Sequence, residues 1–98
     1  MLCQLRTYKI KEGEMEDFLA LWRDHVVPAR AAHGYRVLGA WNDVADGTFA
    51  WVVGHDAPDG WDAAEQAYYN SPERNGLPRN PADYMTGAET KVLQPVDR

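Results

Sequence analysis

The stretch LCQLRTYKI at residues 2–10 alternates with a period of two, so its side chains divide between the two faces of a strand. Cys3, Leu5 and Thr7 make one set, small to medium and mostly apolar, suited to lying under a helix. Gln4, Arg6 and Tyr8 make the other, polar but heavy. A face that carries arginine beside tyrosine either meets water or lines something. The elements that follow decide between the two.

KEGE (11–14) reads as a turn, and a helix follows with Met15, Phe18, Leu19, Trp22, Val26 and Ala29 on one stripe. Acidic residues crowd its first turn, Arg30 and His33 its last, and Gly34 is the stop. Pro28 lies inside this helix without a backbone donor, which predicts a kink near Asp24. YRVLGAWND (35–43) and TFAWVVGHD (48–56) are two strands joined by VADG, with Asp46-Gly47 in the turn. A second helix is expected from about Asp59 to Asn70, then a new N-cap at Ser71-Pro72-Glu73. NGLPRNP (75–81) is loop, PADYM a short helical turn, and AETKVLQP (88–95) the last strand. The order is βαββαβ over one domain, residues 1–98, an α+β chain with helices on one face of an antiparallel sheet.

Taking small and aliphatic residues as the helix-facing parity selects Cys3, Leu5, Thr7, Leu38, Ala40, Ala50, Val52, Gly54, Ala88, Thr90 and Val92. The opposite parity collects Gln4, Arg6, Tyr8, Val37, Gly39, Trp41, Phe49, Trp51, Val53, His55, Glu89, Lys91 and Leu93. Two helices leave that second face uncovered, and it is too aromatic for an ordinary wet surface. A second copy of the same sheet is the economical cover, so the expectation is a homodimer with Arg6 and Glu89 in a shared interior.

Net charge is −5, and Lys and Arg are scattered, which excludes the basic patch of a nucleic-acid binder and any draw toward anionic lipid. No stretch nears the ~20 apolar residues of a membrane span, and no leader pattern opens the chain. A single cysteine, Cys3, forbids an internal disulfide and fits a reducing cytoplasm; on the apolar parity it reads as a buried structural thiol. No metal-ligand spacing, phosphate loop or nucleophile elbow occurs, so neither a metal nor another cofactor is expected.

The segment LRTYKIKEGEMEDFLALWRDHVVPARAAHGYRVLGAW, with the later YYNSPER and AETKVLQP, resembles the NIPSNAP family of the dimeric α+β barrel superfamily over nearly the whole chain. The resemblance implies a ferredoxin-like subunit whose sheet pairs with another around a cavity. It implies little about chemistry, since the superfamily includes cofactor-independent monooxygenases, isomerases, cyclases and haem-binding enzymes. Gln4 stands where the family usually has Glu, Trp51 where many members have His, and His55 where an aromatic is usual.

Arg6, Tyr8, His55 and Glu89 are the catalytic candidates, and Trp41, Trp51 and Lys91 the ligand-binding ones. Arg6 would hold an anionic or enolate oxygen and Tyr8 and His55 would move protons, while Trp41 and Trp51 shape an apolar pocket. Against that reading stand a structural Arg6–Glu89 ion pair, an interfacial Tyr8 and a rim His55. His33 is expected to cap its helix and His25 to be structural. Two functions follow: a protein binding or transforming an apolar or aromatic metabolite without a cofactor, or a non-catalytic dimeric assembly module.

Overall fold

In the computed structural model, which describes residues 1–98, the order is β1 (Leu2–Ile10), α1 (Met15–Leu21), a π-helical turn (Trp22–Val26), α2 (Val27–Ala31), β2 (Arg36–Asp43), β3 (Thr48–His55), α3 (Trp61–Tyr69), α4 (Pro72–Asn75), a 3-10 turn (Pro81–Tyr84) and β4 (Met85–Leu93). The four strands are antiparallel in the order β2-β3-β1-β4, a ferredoxin-like sheet with the helices on one face. No helix is long and apolar enough to cross a membrane.

Local chemistry explains the joints. Pro28 cannot donate to the Asp24 carbonyl, and the helix opens there into the π turn, where the Val27 N–H reaches the carbonyl of Trp22. Ser71 caps α4 by accepting from the Arg74 N–H at 3.1 Å, with Pro72 behind it. Gly47, at φ +75°, closes the β2–β3 turn, and its carbonyl accepts from the Ile10 N–H at 2.8 Å. The last strand begins at Met85, three residues before the expected Ala88.

The faces of the two central strands are reversed from the expectation. Tyr8, Phe49, Trp51 and Val53 lie under the helices, at most 5% exposed, and Gln4 joins them. Cys3, Leu5, Thr7, Ala50 and Val52 look outward instead, so Cys3 is a half-buried thiol on the outer face. Bulk decides this. An aromatic side chain hides ~150–250 Å2, and at ~25 cal/mol per Å2 that outweighs alanine, threonine or cysteine by several kcal/mol. The helices supply matching rings: Phe18 sits 5.1 Å from Phe49 and Trp22 5.5 Å from Trp51, both edge-on.

On β4 the expected parity holds. Glu89 pairs with Thr7, Lys91 with Leu5 and Leu93 with Cys3, all outward, while Ala88 pairs with inward Tyr8. A register shift between Val37 and Gly39 resets β2, so that Trp41, opposite Ala50, also points outward and is 62% exposed. Arg6 and Glu89 therefore sit on adjacent strands but on opposite faces of the sheet, and the expected ion pair between them does not exist.

Candidate functional site

Between the sheet and the helices, charged groups from three elements meet. Arg30, on α2, is 2% exposed, and its Nη1 donates to Glu65 of α3 at 2.8 Å. Its guanidinium lies 4.2 Å from the Tyr68 ring centroid and 4.6 Å from that of Tyr35. An arginine stripped of water needs both kinds of partner: a carboxylate for the charge and ring faces for the planar cation. Glu65 also accepts from Arg6 Nη1 at 3.4 Å and from the Tyr35 hydroxyl at 3.4 Å. One carboxylate thus serves two arginines and a phenol. Burial, reinforced by the Glu65 charge and partly opposed by Arg30, pushes the Tyr35 pKa up to about 12, so it remains a neutral donor.

Arg6 of β1 spends every nitrogen. Nε donates to the Tyr8 hydroxyl at 2.6 Å, Nη1 to Gln4 Oε1 at 2.6 Å, and Nη2 to the Tyr69 hydroxyl at 3.2 Å. Burial works against its charge, but Tyr8, Tyr69 and Glu65 outweigh that loss and hold its pKa above the ordinary arginine value. The Tyr8 oxygen accepts a second time, from Trp51 Nε1 at 3.0 Å. Tyr69 likewise accepts from Arg30 Nη2 at 3.4 Å.

Both arginines, with Tyr8, Trp51, Tyr68 and Tyr69, border a cavity of about 170 Å3, while Glu65, Tyr35 and Gln4 stand behind it. Arg6, Tyr8 and Trp51 form its sheet side, and Trp22, Val26 and Arg30 its helix side. Arg74 stands beside Tyr69 and donates to Asn80 Oδ1 at 3.2 Å, tying α4 to the segment at 80–82 that also borders the cavity.

Of the residues singled out from sequence, the structure brings Arg6, Tyr8 and Trp51 together here. Trp41, Lys91 and Glu89 stand apart, on the outer face. His55 is also away from the cavity. Its Nδ1 accepts the Ala57 N–H at 2.8 Å, which fixes the proton on Nε2, 2.8 Å from the His33 carbonyl. Both ring nitrogens thus bond to backbone, away from the cavity. His33 pairs with Glu73 at 2.6 Å, and His25 is exposed.

Arg30, Glu65, Tyr35, Tyr68 and Tyr69 escape the sequence reading. A signal was present: Arg30 follows Val26 by four, and Glu65 lies between Trp61 and Tyr68 at spacings of four and three. Opposite charges set inside two apolar stripes belong to one buried pair.

The topology and this interlayer cavity define the class: an α+β sandwich with its polar cluster under the helices. The chain belongs to the NIPSNAP family, whose profile matches residues 3–97. An uncharacterized NIPSNAP domain protein from Burkholderia xenovorans superposes with a TM-score of 0.82 at 20% identity, over 98% of this chain and 95% of that one. A NIPSNAP family protein from Agrobacterium tumefaciens gives 0.82 at 17% identity, over 98% and 93%. A putative antibiotic biosynthesis monooxygenase from Nitrosomonas europaea gives 0.73 at 12% identity, over 99% and 100%. At these identities the likeness is one of fold. No curated protein matches the sequence.

Proposed function

We propose that this protein binds, or transforms without a cofactor, a small apolar or aromatic metabolite held between the sheet and the helices. The observation that carries the reading is the cavity of about 170 Å3, walled by aromatic rings, with Arg6 and Tyr8 on its sheet side. Ligand sites have this composition, mostly apolar with a few convergent polar groups. Arg6 and Tyr8 are the polar contacts and Trp51 part of the wall. Native mass spectrometry of freshly purified protein, compared with the mass after denaturation, tests it. A co-purifying small molecule lost from a Trp22→Glu variant supports the reading; a cavity that no small molecule enters in a fragment screen overturns it.

The same reading includes a homodimer. The outer face of the sheet carries Leu5, Leu38, Val52, Trp41 and Leu93, with Leu38 50% and Trp41 62% exposed. An apolar face of that breadth favours burial against a second copy, through an interface above ~1,000 Å2. Glu89 and Lys91 then belong to the interface and not to the pocket. Sedimentation equilibrium returning a monomer at micromolar concentration refutes the assembly and leaves the pocket untouched.

A further inference from the structure

We propose, building on that pocket, that its ligand is a single-ring organic monoanion, a carboxylate or phenolate, whose charged oxygen is received by the phenol hydrogens of Tyr8 and Tyr69.

Charge is the first argument. Three arginines, Arg6, Arg30 and Arg74, border the cavity and no aspartate or glutamate does, although the whole chain has 15 acidic residues against 10 basic ones. Behind the sheet side, Glu65 is the one carboxylate set against Arg6 and Arg30, which leaves one positive charge uncompensated in a low-dielectric place.

The direction of the hydrogen bonds is the second. Gln4 Oε1, the Glu65 carboxylate and Asn80 Oδ1 are all taken by donors. The Tyr8 oxygen accepts two N–H groups and so does the Tyr69 oxygen, so each hydroxyl hydrogen is directed at a third partner. No protein acceptor takes either hydrogen. Arg6 grips the two oxygens through Nε and Nη2, which lie on one edge of the guanidinium, so the hydroxyls are held side by side. A site of paired donors with an arginine behind them fits an anionic oxygen and repels an ammonium at that end.

Size is the third. A cavity of about 150 Å3 accepts benzene, so about 170 Å3 takes one ring and a small substituent. The aromatic walls suit a flat molecule.

Calorimetric titration of the full chain tests this with four probes: benzoate and 4-nitrophenolate as the two kinds of anion, benzamide and benzyl alcohol as their neutral counterparts. The anions should bind at least about tenfold more tightly than the neutral pair, the worth of one charge-assisted hydrogen bond. Preference for benzoate over nitrophenolate, or the reverse, supports the inference and selects the headgroup. Tyr69→Phe should weaken the anion by about tenfold and benzyl alcohol by several-fold less, since a bond to a charged oxygen is worth more than one to a neutral oxygen. Tyr69 is 41% exposed, so water can replace the acceptor that Tyr69→Phe takes from Arg6 and Arg30, whereas Tyr8→Phe strands the buried Trp51 Nε1; a urea midpoint for each variant confirms that it is folded. Neutral probes binding as tightly as anions, or an anion indifferent to Tyr69→Phe, overturns the inference and leaves the pocket reading standing. Four probes that all fail to bind overturn both.

Discussion

Replacing Glu65 by glutamine removes a charge and almost no volume, so its cost measures how far the cluster relies on that carboxylate. Arg30 is 2% exposed and bonded to Glu65 at 2.8 Å; Arg6 lies 3.4 Å away. Two opposite charges ~4 Å apart attract by about 4 kcal/mol at the effective dielectric of such sites. Glutamine keeps one acceptor oxygen, and the rings of Tyr35 and Tyr68 still flank the cation, so part of the loss is recovered. The expected cost is about 3 kcal/mol, in the range for breaking a buried pair. Urea denaturation at fixed protein concentration measures it, and melting should fall by roughly 12–24 °C for a chain of this length. Adding Arg30→Met to Glu65→Gln should restore part of the stability, because the buried cation goes with its partner. A single variant that costs under ~1 kcal/mol, or a double variant whose losses simply add, refutes the reasoning.

Alkaline titration offers a second test. Tyr35 has a folded pKa raised from 10.0 to about 12, so its contribution is fully present below pH 10 and lost as the pH rises through about 12. Tyr35→Phe should flatten the urea midpoint across that window. Trp51, 1% exposed, should cost about 3–5 kcal/mol when cut to alanine, read in the same assay. Trp41→Asp on the outer face should instead separate the proposed dimer, seen as halved mass in sedimentation. Pro28→Ala restores a donor to the Asp24 carbonyl and should move stability by less than ~1 kcal/mol, since the π turn already accommodates the missing bond.

Much of the fold could be read from residue order because its signals are local. Pro28 announced the break at Asp24, Ser71-Pro72 the start of α4, and Gly47 its turn. The faces of β1 and β3 could not be read by ranking residues on polarity, because Tyr8, Phe49 and Trp51 gain more from burial than the aliphatic set beside them. That one inversion misplaced the partner of Arg6. Glu89 is near in sequence register but looks away, whereas Glu65 arrives from a helix 59 residues along the chain. Arg6, Tyr8 and Trp51 were within reach of sequence reading as strand residues of one parity. Arg30 carried a local signal in its place four after Val26, but its meeting with Tyr69 needed the packing of one helix against another, a contact that no spacing within one element encodes.

The π turn at Trp22–Val26 reaches beyond its own backbone. The wider turn takes up one residue more than an α-helical turn, so the residues after it keep the phase of a helix one residue shorter. Phe18 and Leu21 are buried before it, Ala29 and Arg30 after it. The same sequence wound as regular α-helix through Trp22–Val26 would carry everything after it round by about 100° and swing Arg30 away from Glu65 while every strand stayed in register. The delivery of Arg30 to the pocket is therefore set by the winding of one helical turn, apart from the strands around it.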